Sequence, residues 1–262
     1  MKVKDVISYL DNRFPIELAS EFDYPRVGFN IGNINQELSS VMLSLDLTKD
    51  VILEACNLGC NLIITHHSYL FDPLYKIDFE ANKGQIIGLL YKNKVSVYSM
   101  HTNFDVGKGG VNDTLAKMIG IKNIKVINNE IKANNFLRYG EIEEISFDNL
   151  IKKVKSVFNL TGVRAVGNMN DIIKSVGIVG GSGGHKEDFI NALNANIDCY
   201  ITGEIPLNIA IDAKELNLKL IEVNHGIEKF AFETLKIDLE QDLKLKEKVF
   251  ITSINTDPLV FV

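Results

Sequence analysis

Little in this chain points to secretion, membranes or polyanions. Three cysteines (Cys56, Cys60 and Cys199) among 262 residues cannot build a disulfide framework, and they suit a reducing cytoplasm. Cys56 and Cys60 lack partner ligands at zinc spacing and read as core and turn residues. No stretch approaches the roughly 20 apolar residues that span a bilayer. The opening MKVKDVISYLDNRF has an amphipathic helical pattern broken by charge, without the apolar segment of a signal peptide. The expectation is a cytoplasmic protein with no membrane partner. No lysine run marks a basic face and the net charge is −6, which disfavours nucleic acid as a partner. The aromatic residues are dispersed and offer no platform for stacked bases. There is neither a low-complexity tract nor a short-period repeat.

What is present is an ordinary globular composition, 46% hydrophobic and 24% charged, long enough for one large or two small α/β units. Apolar runs alternate with helix-period segments. VMLSLDL (41–47) predicts a strand, Thr48 caps a helix through Leu58, and Gly59 ends it. NLIITHH (61–67), a helix near 82–93 and VSVYSMHT (95–102) continue the rhythm, and a short helix begins around Val111. Between Asn123 and Asn135 the sequence turns polar, with asparagine pairs at 128–129 and 134–135.

A lobe boundary is placed there, giving a first lobe over 1–125 and a second over 126–224. Residues 225–262 form a helix and a last strand that return to the first lobe. The second lobe restarts with strands at 136–142, 163–167, 175–180, 199–203 and 218–223, and helices near 147–158, 185–194 and 207–216. A helix from about 226 to 236 and VFITSI (249–254) close the chain. The fold class expected is therefore α/β, as two similar strand–helix lobes with mixed sheets flanked by helices.

Four of the five histidines fall in three short segments that also carry carboxylates: ITHHSYLF (His66, His67), SMHTNFDVGKGGVND (His101, Asp105) and NHGIEKF (His225, Glu228). Imidazole with carboxylate is the usual ligand set of a catalytic zinc, iron or manganese site. Each segment follows a predicted strand, and ligands gather at the carboxyl ends of strands in α/β sheets. Successive strand side chains point to opposite faces, so adjacent His66 and His67 suit two neighbouring ions better than one. His225 opens a helix with Glu228 three residues on, so both can share a face. A carboxylate there could bridge two cations about 3.5–4 Å apart, a common hydrolytic clamp. Against this, Asp105 could cap the turn before Gly107, and Glu228 could be a first-turn acid favoured by the helix dipole.

Other segments stay open. VGGSGG (179–184) could cradle an anion on backbone N–H groups or be a tight turn needing positive φ. It is not a dinucleotide fingerprint, because Lys186 stands where a third glycine belongs. His185 could meet substrate or be an exposed helix start. GKGGVND (107–113) lacks P-loop spacing and reads as a turn into a helix. Thr202, Gly203 and Glu204 end a strand as a pocket wall or a structural turn.

THHSYLF, SMHTNFDVGKGGVND and VGIVGGSGG…DCYITGE resemble, in order, the THHPLIF-type, HTNLD…GGVND and GGSG…TGD elements of one family. NHGIEKF stands where that family has GHYATE. The chain is similar to the GTP cyclohydrolase 1 type 2 homologue family, also called NGG-interacting-factor-like. The resemblance implies an α/β protein with a dinuclear metal site at strand ends between its lobes, often a toroidal homohexamer. It implies two divalent ions (zinc, iron or manganese) held by His66, His67, Asp105, His225 and Glu228. The family's glutamate lies four residues after its histidine; here the gap is three. Ser68 replaces the usual proline, which should loosen the loop. His101 matches a position near the site, expected to orient a ligand or to protonate substrate. The activity implied is hydrolysis of a nucleotide or related small molecule, GTP cyclohydrolase-like. The alternative is a non-catalytic metal-binding scaffold or regulatory protein.

Overall fold

The computed structural model describes residues 1–127 and 132–259. They divide into two compact units, one built on Met1–Gly107 with Phe232–Pro258 and the other on Lys108–Ala231.

The first unit begins with helix α1 (Val3–Arg13), which buries Val3, Val6, Ile7 and Leu10 along one face. Strand β1 (Gly28–Ile31) follows, an element without a strong apolar signature. Then come β2 (Val41–Ser44), α2 (Lys49–Asn57), β3 (Leu62–Thr65), α3 (Asn82–Asn93), β4 (Ser96–Ser99) and the single turn α4 (Thr102–Val106). The Thr48 side chain accepts from Val51 N–H, so the predicted cap forms. Every residue of β2, β3 and β4 is buried, as expected of parallel strands covered on both faces. Met42, Ile63 and Val97 pack with Val51, Ile52, Ala55 and Leu90 of the flanking helices, and Cys60 joins them. The three cysteines are unpaired.

The second unit starts with α5 (Val111–Met118), β5 (Lys122–Val126), β6 (Arg138–Ser146), α6 (Phe147–Val157), β7 (Arg164–Val166) and β8 (Ile172–Val179). It continues with α7 (Lys186–Asn194), β9 (Cys199–Gly203), α8 (Leu207–Glu215) and β10 (Lys219–Val223). A six-stranded mixed sheet runs β5-β6-β8-β9-β10-β7, with β8, β9 and β10 parallel. Its core joins Tyr200, Leu220 and Val179 to Phe189, Ala192, Ile209 and Ala213 from the helices. Buried Arg138 pairs with Asp113 and donates to the Asn135 carbonyl, so its charge is compensated.

The chain then returns to the first unit through α9 (Ala231–Asp242) and β11 (Val249–Ile251). Phe232 stacks on Phe104, and α1 meets α9 through Arg13–Asp238 and Tyr9–Asp242. Strand β11 runs parallel to β2, completing the order β1-β4-β3-β2-β11. The sequence placed the first division near 125; in the structure α5 and β5 already belong to the second unit. Asn123 itself lies in β5, which pairs with β6. The first asparagine pair, 128–129, lies outside the described residues. His225 and Glu228, grouped from sequence with the C-terminal segment, stay with the second unit.

Candidate functional site

In the first unit β2, β3 and β4 are parallel neighbours, so their carboxyl ends share one edge of the sheet. His66 and His67 follow β3 and keep its backbone pairing, through N–H donation to the carbonyls of Ser44 and Leu45. Strict alternation does not separate them: β3 ends at Thr65, and the two rings stand 5.0 Å apart at 48°. The His101 ring is 5.3 Å from His66 and 5.7 Å from His67. One ligating nitrogen from each of the three falls within 4.8 Å of the others. Asp105, four residues along the α4 turn, places Oδ1 3.6 Å from His66 Nε2. His101, assigned from sequence to orienting or proton transfer, therefore stands among the donor atoms.

An oxygen lies behind each of these rings. His66 Nδ1 is 2.9 Å from the Met100 carbonyl, which can only accept, so this nitrogen carries a proton and Nε2 is left as the nitrogen that can ligate. His67 Nδ1 lies 2.7 Å from Asp46 Oδ1, and Asp46 Oδ2 accepts from the Thr256 hydroxyl at 2.6 Å. His101 Nδ1 lies 2.8 Å from buried Asp23 Oδ2, which also accepts from the Thr102 hydroxyl and N–H. Burial alone would raise both carboxyls. The hydrogen bonds from His67 and Thr256 hold Asp46 below the usual range, and the adjacent His101 ring with the hydrogen bonds from Thr102 does the same for Asp23. Ser68, expected to loosen this loop, instead donates to Asn30, which also accepts from Ser99.

The second unit builds a smaller cluster after β10. The Asn224 side chain accepts from Gly226 N–H and starts a 3₁₀ helix, His225–Phe230, where an α-helix was expected. In a 3₁₀ helix residues three apart eclipse, so a spacing of three brings His225 Nε2 to 3.3 Å from Glu228 Oε2. Glu228 is only 4% exposed. His225 Nδ1 meets Glu204 Oε1 at 2.8 Å, and Glu204 Oε2 accepts from Ser182 at 2.5 Å.

The glycine loop after β8 explains itself here. Gly181 has φ +62°, and a Cβ on it would stand 2.4 Å from Glu228 Oε1 and 3.2 Å from His225 Nε2. Glycine lets the backbone lie against the His225–Glu228 pair. Gly180 N–H donates to Asn112 of α5 at 2.7 Å, and the Asp113 carboxylate accepts from Gly109 N–H, so GKGGVND is a turn into a helix. His185 is exposed and precedes α7 without a capping bond.

The donor set fits divalent cations. Histidine and carboxylate ligands are of the right type for zinc, iron or manganese. Carboxylate or carbonyl oxygens at the far ring nitrogen are the usual support for ligating imidazoles. Asp23, Asp46 and Glu204 were not assigned from sequence as supports. Asp46 left a trace, as an acid at the end of an otherwise apolar strand run, and Glu204 left one at the end of a strand read as a pocket wall or a turn; Asp23 sits in a segment without periodicity.

Among the described residues no helix is long and apolar enough to cross a membrane. The chain is 33% identical over 229 residues to a GTP cyclohydrolase 1 type 2 homolog of Clostridium perfringens, covering 86% of each protein. It is 31% identical to one of Clostridium acetobutylicum, covering 100% of this chain and 99% of the other. A crystal structure of a hypothetical protein from Staphylococcus aureus superposes with a TM-score of 0.92 at 29% identity, covering 100% of this chain and 99% of that one. The model of the Duf34/NIF3 (NGG1p interacting factor 3) family matches residues 1–258, and the chain belongs to that family.

Proposed function

We propose that this protein is a metal-dependent hydrolase acting on a nucleotide or related small molecule. Its ligands are His66, His67, Asp105, His225 and Glu228, holding two divalent ions. The observation that carries the proposal is the cluster of His66, His67 and His101 at the strand ends, whose Nδ1 atoms each face an oxygen while one nitrogen of each ring falls within 4.8 Å of the others. Bound divalent ions supply Lewis acidity and lower the pKa of water at the site.

The chain's own residues do the rest. Met100, Asp46 and Asp23 fix three ring orientations before any ion arrives, so little ordering remains on binding. His101, with its side chain 19% exposed and Asp23 behind it, is proposed to carry a proton to or from substrate. The nucleotide class rests on the name of the relatives, and a homohexamer is proposed on the same family likeness.

The test is elemental analysis of protein purified without chelator, then a nucleotide-hydrolysis screen with zinc, iron or manganese restored. His67→Ala is expected to lower metal content and abolish turnover. Unchanged stoichiometry in this variant removes His67 from the ligand set. A fully loaded protein that turns over no nucleotide supports the metal-binding scaffold instead.

A further inference from the structure

The geometry points to Glu204 as the positioning residue for His225, holding the ring by its Nδ1 edge so that Nε2 faces Glu228. This rests on His225 being a ligand, as proposed above. Both carboxylate oxygens of Glu204 are engaged: Oε1 lies 2.8 Å from His225 Nδ1, and Oε2 accepts from the Ser182 hydroxyl at 2.5 Å. A carboxylate tied at both ends cannot swing away from the imidazole. The side chain is nevertheless 59% exposed, so neither packing nor the satisfaction of a buried charge explains these bonds.

The backbone is shaped to put it there. Glu204 has φ +51°, a left-handed conformation that non-glycine residues disfavour and that concentrates at functional sites. Glycines clamp it on two sides. A Cβ on Gly203 would stand 2.6 Å from the Gly181 carbonyl oxygen, and one on Gly184 would stand 2.4 Å from the Glu204 carbonyl oxygen. The end of β9 is thereby pressed onto the glycine loop, with Ser182 and His225 within reach of one carboxylate. Asp46 behind His67 and Asp23 behind His101 repeat this carboxylate–imidazole pairing in the first unit.

An ornamental surface ion pair would leave the ring's tautomer and its affinity for metal untouched. A positioning carboxylate sets both, because the proton it holds on Nδ1 leaves Nε2 as the ligating atom.

The experiment compares wild type, Glu204→Ala and Glu204→Gln by long-range ¹H–¹⁵N correlation of the His225 imidazole in metal-free protein. Zinc affinity is then measured by competition with a chelator. In wild type the Nδ1–H tautomer is expected. Glu204→Ala should shift His225 toward Nε2–H and weaken zinc binding by roughly 10–100-fold. Glu204→Gln keeps an acceptor and should restore the tautomer with most of the affinity. An unchanged His225 tautomer in Glu204→Ala, or a glutamine variant as impaired as the alanine one, overturns the assignment. Failure of wild type to take up zinc would refute the proposed function instead, while the metal-free tautomer comparison still decides the role of Glu204.

Discussion

Replacing Asp46 with alanine separates what the His67 ring needs from what the fold needs. The carboxylate takes one hydrogen bond from His67 Nδ1 at 2.7 Å and one from the Thr256 hydroxyl at 2.6 Å. Hydrogen bonds to a charged group contribute about 1.5–3 kcal/mol each when sheltered. The Asp46 side chain is 37% exposed, and solvent screening reduces the joint contribution to about 1–2 kcal/mol. Metal-free Asp46→Ala should therefore remain folded, with a modestly lower urea midpoint. Its zinc affinity should fall further, because the His67 ring loses its orientation and its preferred tautomer. A 10–100-fold loss corresponds to about 1.4–2.8 kcal/mol. Asp46→Asn retains an acceptor for Nδ1–H and should fall between the two. Chelator competition on both variants and wild type, alongside urea unfolding of the metal-free proteins, reads the two effects apart. A zinc affinity within about twofold of wild type in a folded Asp46→Ala protein would refute the orienting role.

Gly181→Ala forces a Cβ into a left-handed position 2.4 Å from Glu228 Oε1. The backbone term alone is about 1–2 kcal/mol, so thermal melting should fall by roughly 2–8 °C, with metal content reduced; an unchanged melting curve contradicts the close approach. Asp188 tests a pH dependence away from the candidate metal ligands. Burial raises its carboxyl to about 6, against a lowering by His185. Because the folded state holds this proton more tightly, stability is lost as pH rises from about 4 through about 6. Asp188→Asn should be more stable than wild type at pH 7 by at most about 3 kcal/mol. That advantage should vanish below about pH 4, and urea midpoints that show no such convergence would refute the raised pKa.

Elements whose burial is written into local pattern were legible. The runs VMLSLDL, NLIITHH and CYITG hold strands, at Val41–Ser44, Leu62–Thr65 and Cys199–Gly203, because continuous apolar residues bounded by caps and glycines fit parallel sheets and little else. Strand β1 (GFNI) and strand β5 (KNIKV) carry no such pattern; their pairing is set by neighbours, β4 and β6, brought alongside by the rest of the chain. The 3₁₀ turn at His225 was equally invisible, since a spacing of three fits both helix types until a cap and packing choose.

By itself, the sequence determined which side chains can donate to a metal and that they follow strands. Those facts are local: imidazole and carboxylate chemistry belongs to the residue, and a strand's end is marked by its own apolar run. Only the tertiary structure decided that His101 stands among the donors, that Asp46, Asp23 and Glu204 lie behind the rings, and that Gly181 rests on Glu228. Those contacts join residues 21 to 78 positions apart, and nothing in the chain's periodicity encodes a pairing made by sheet order and close packing.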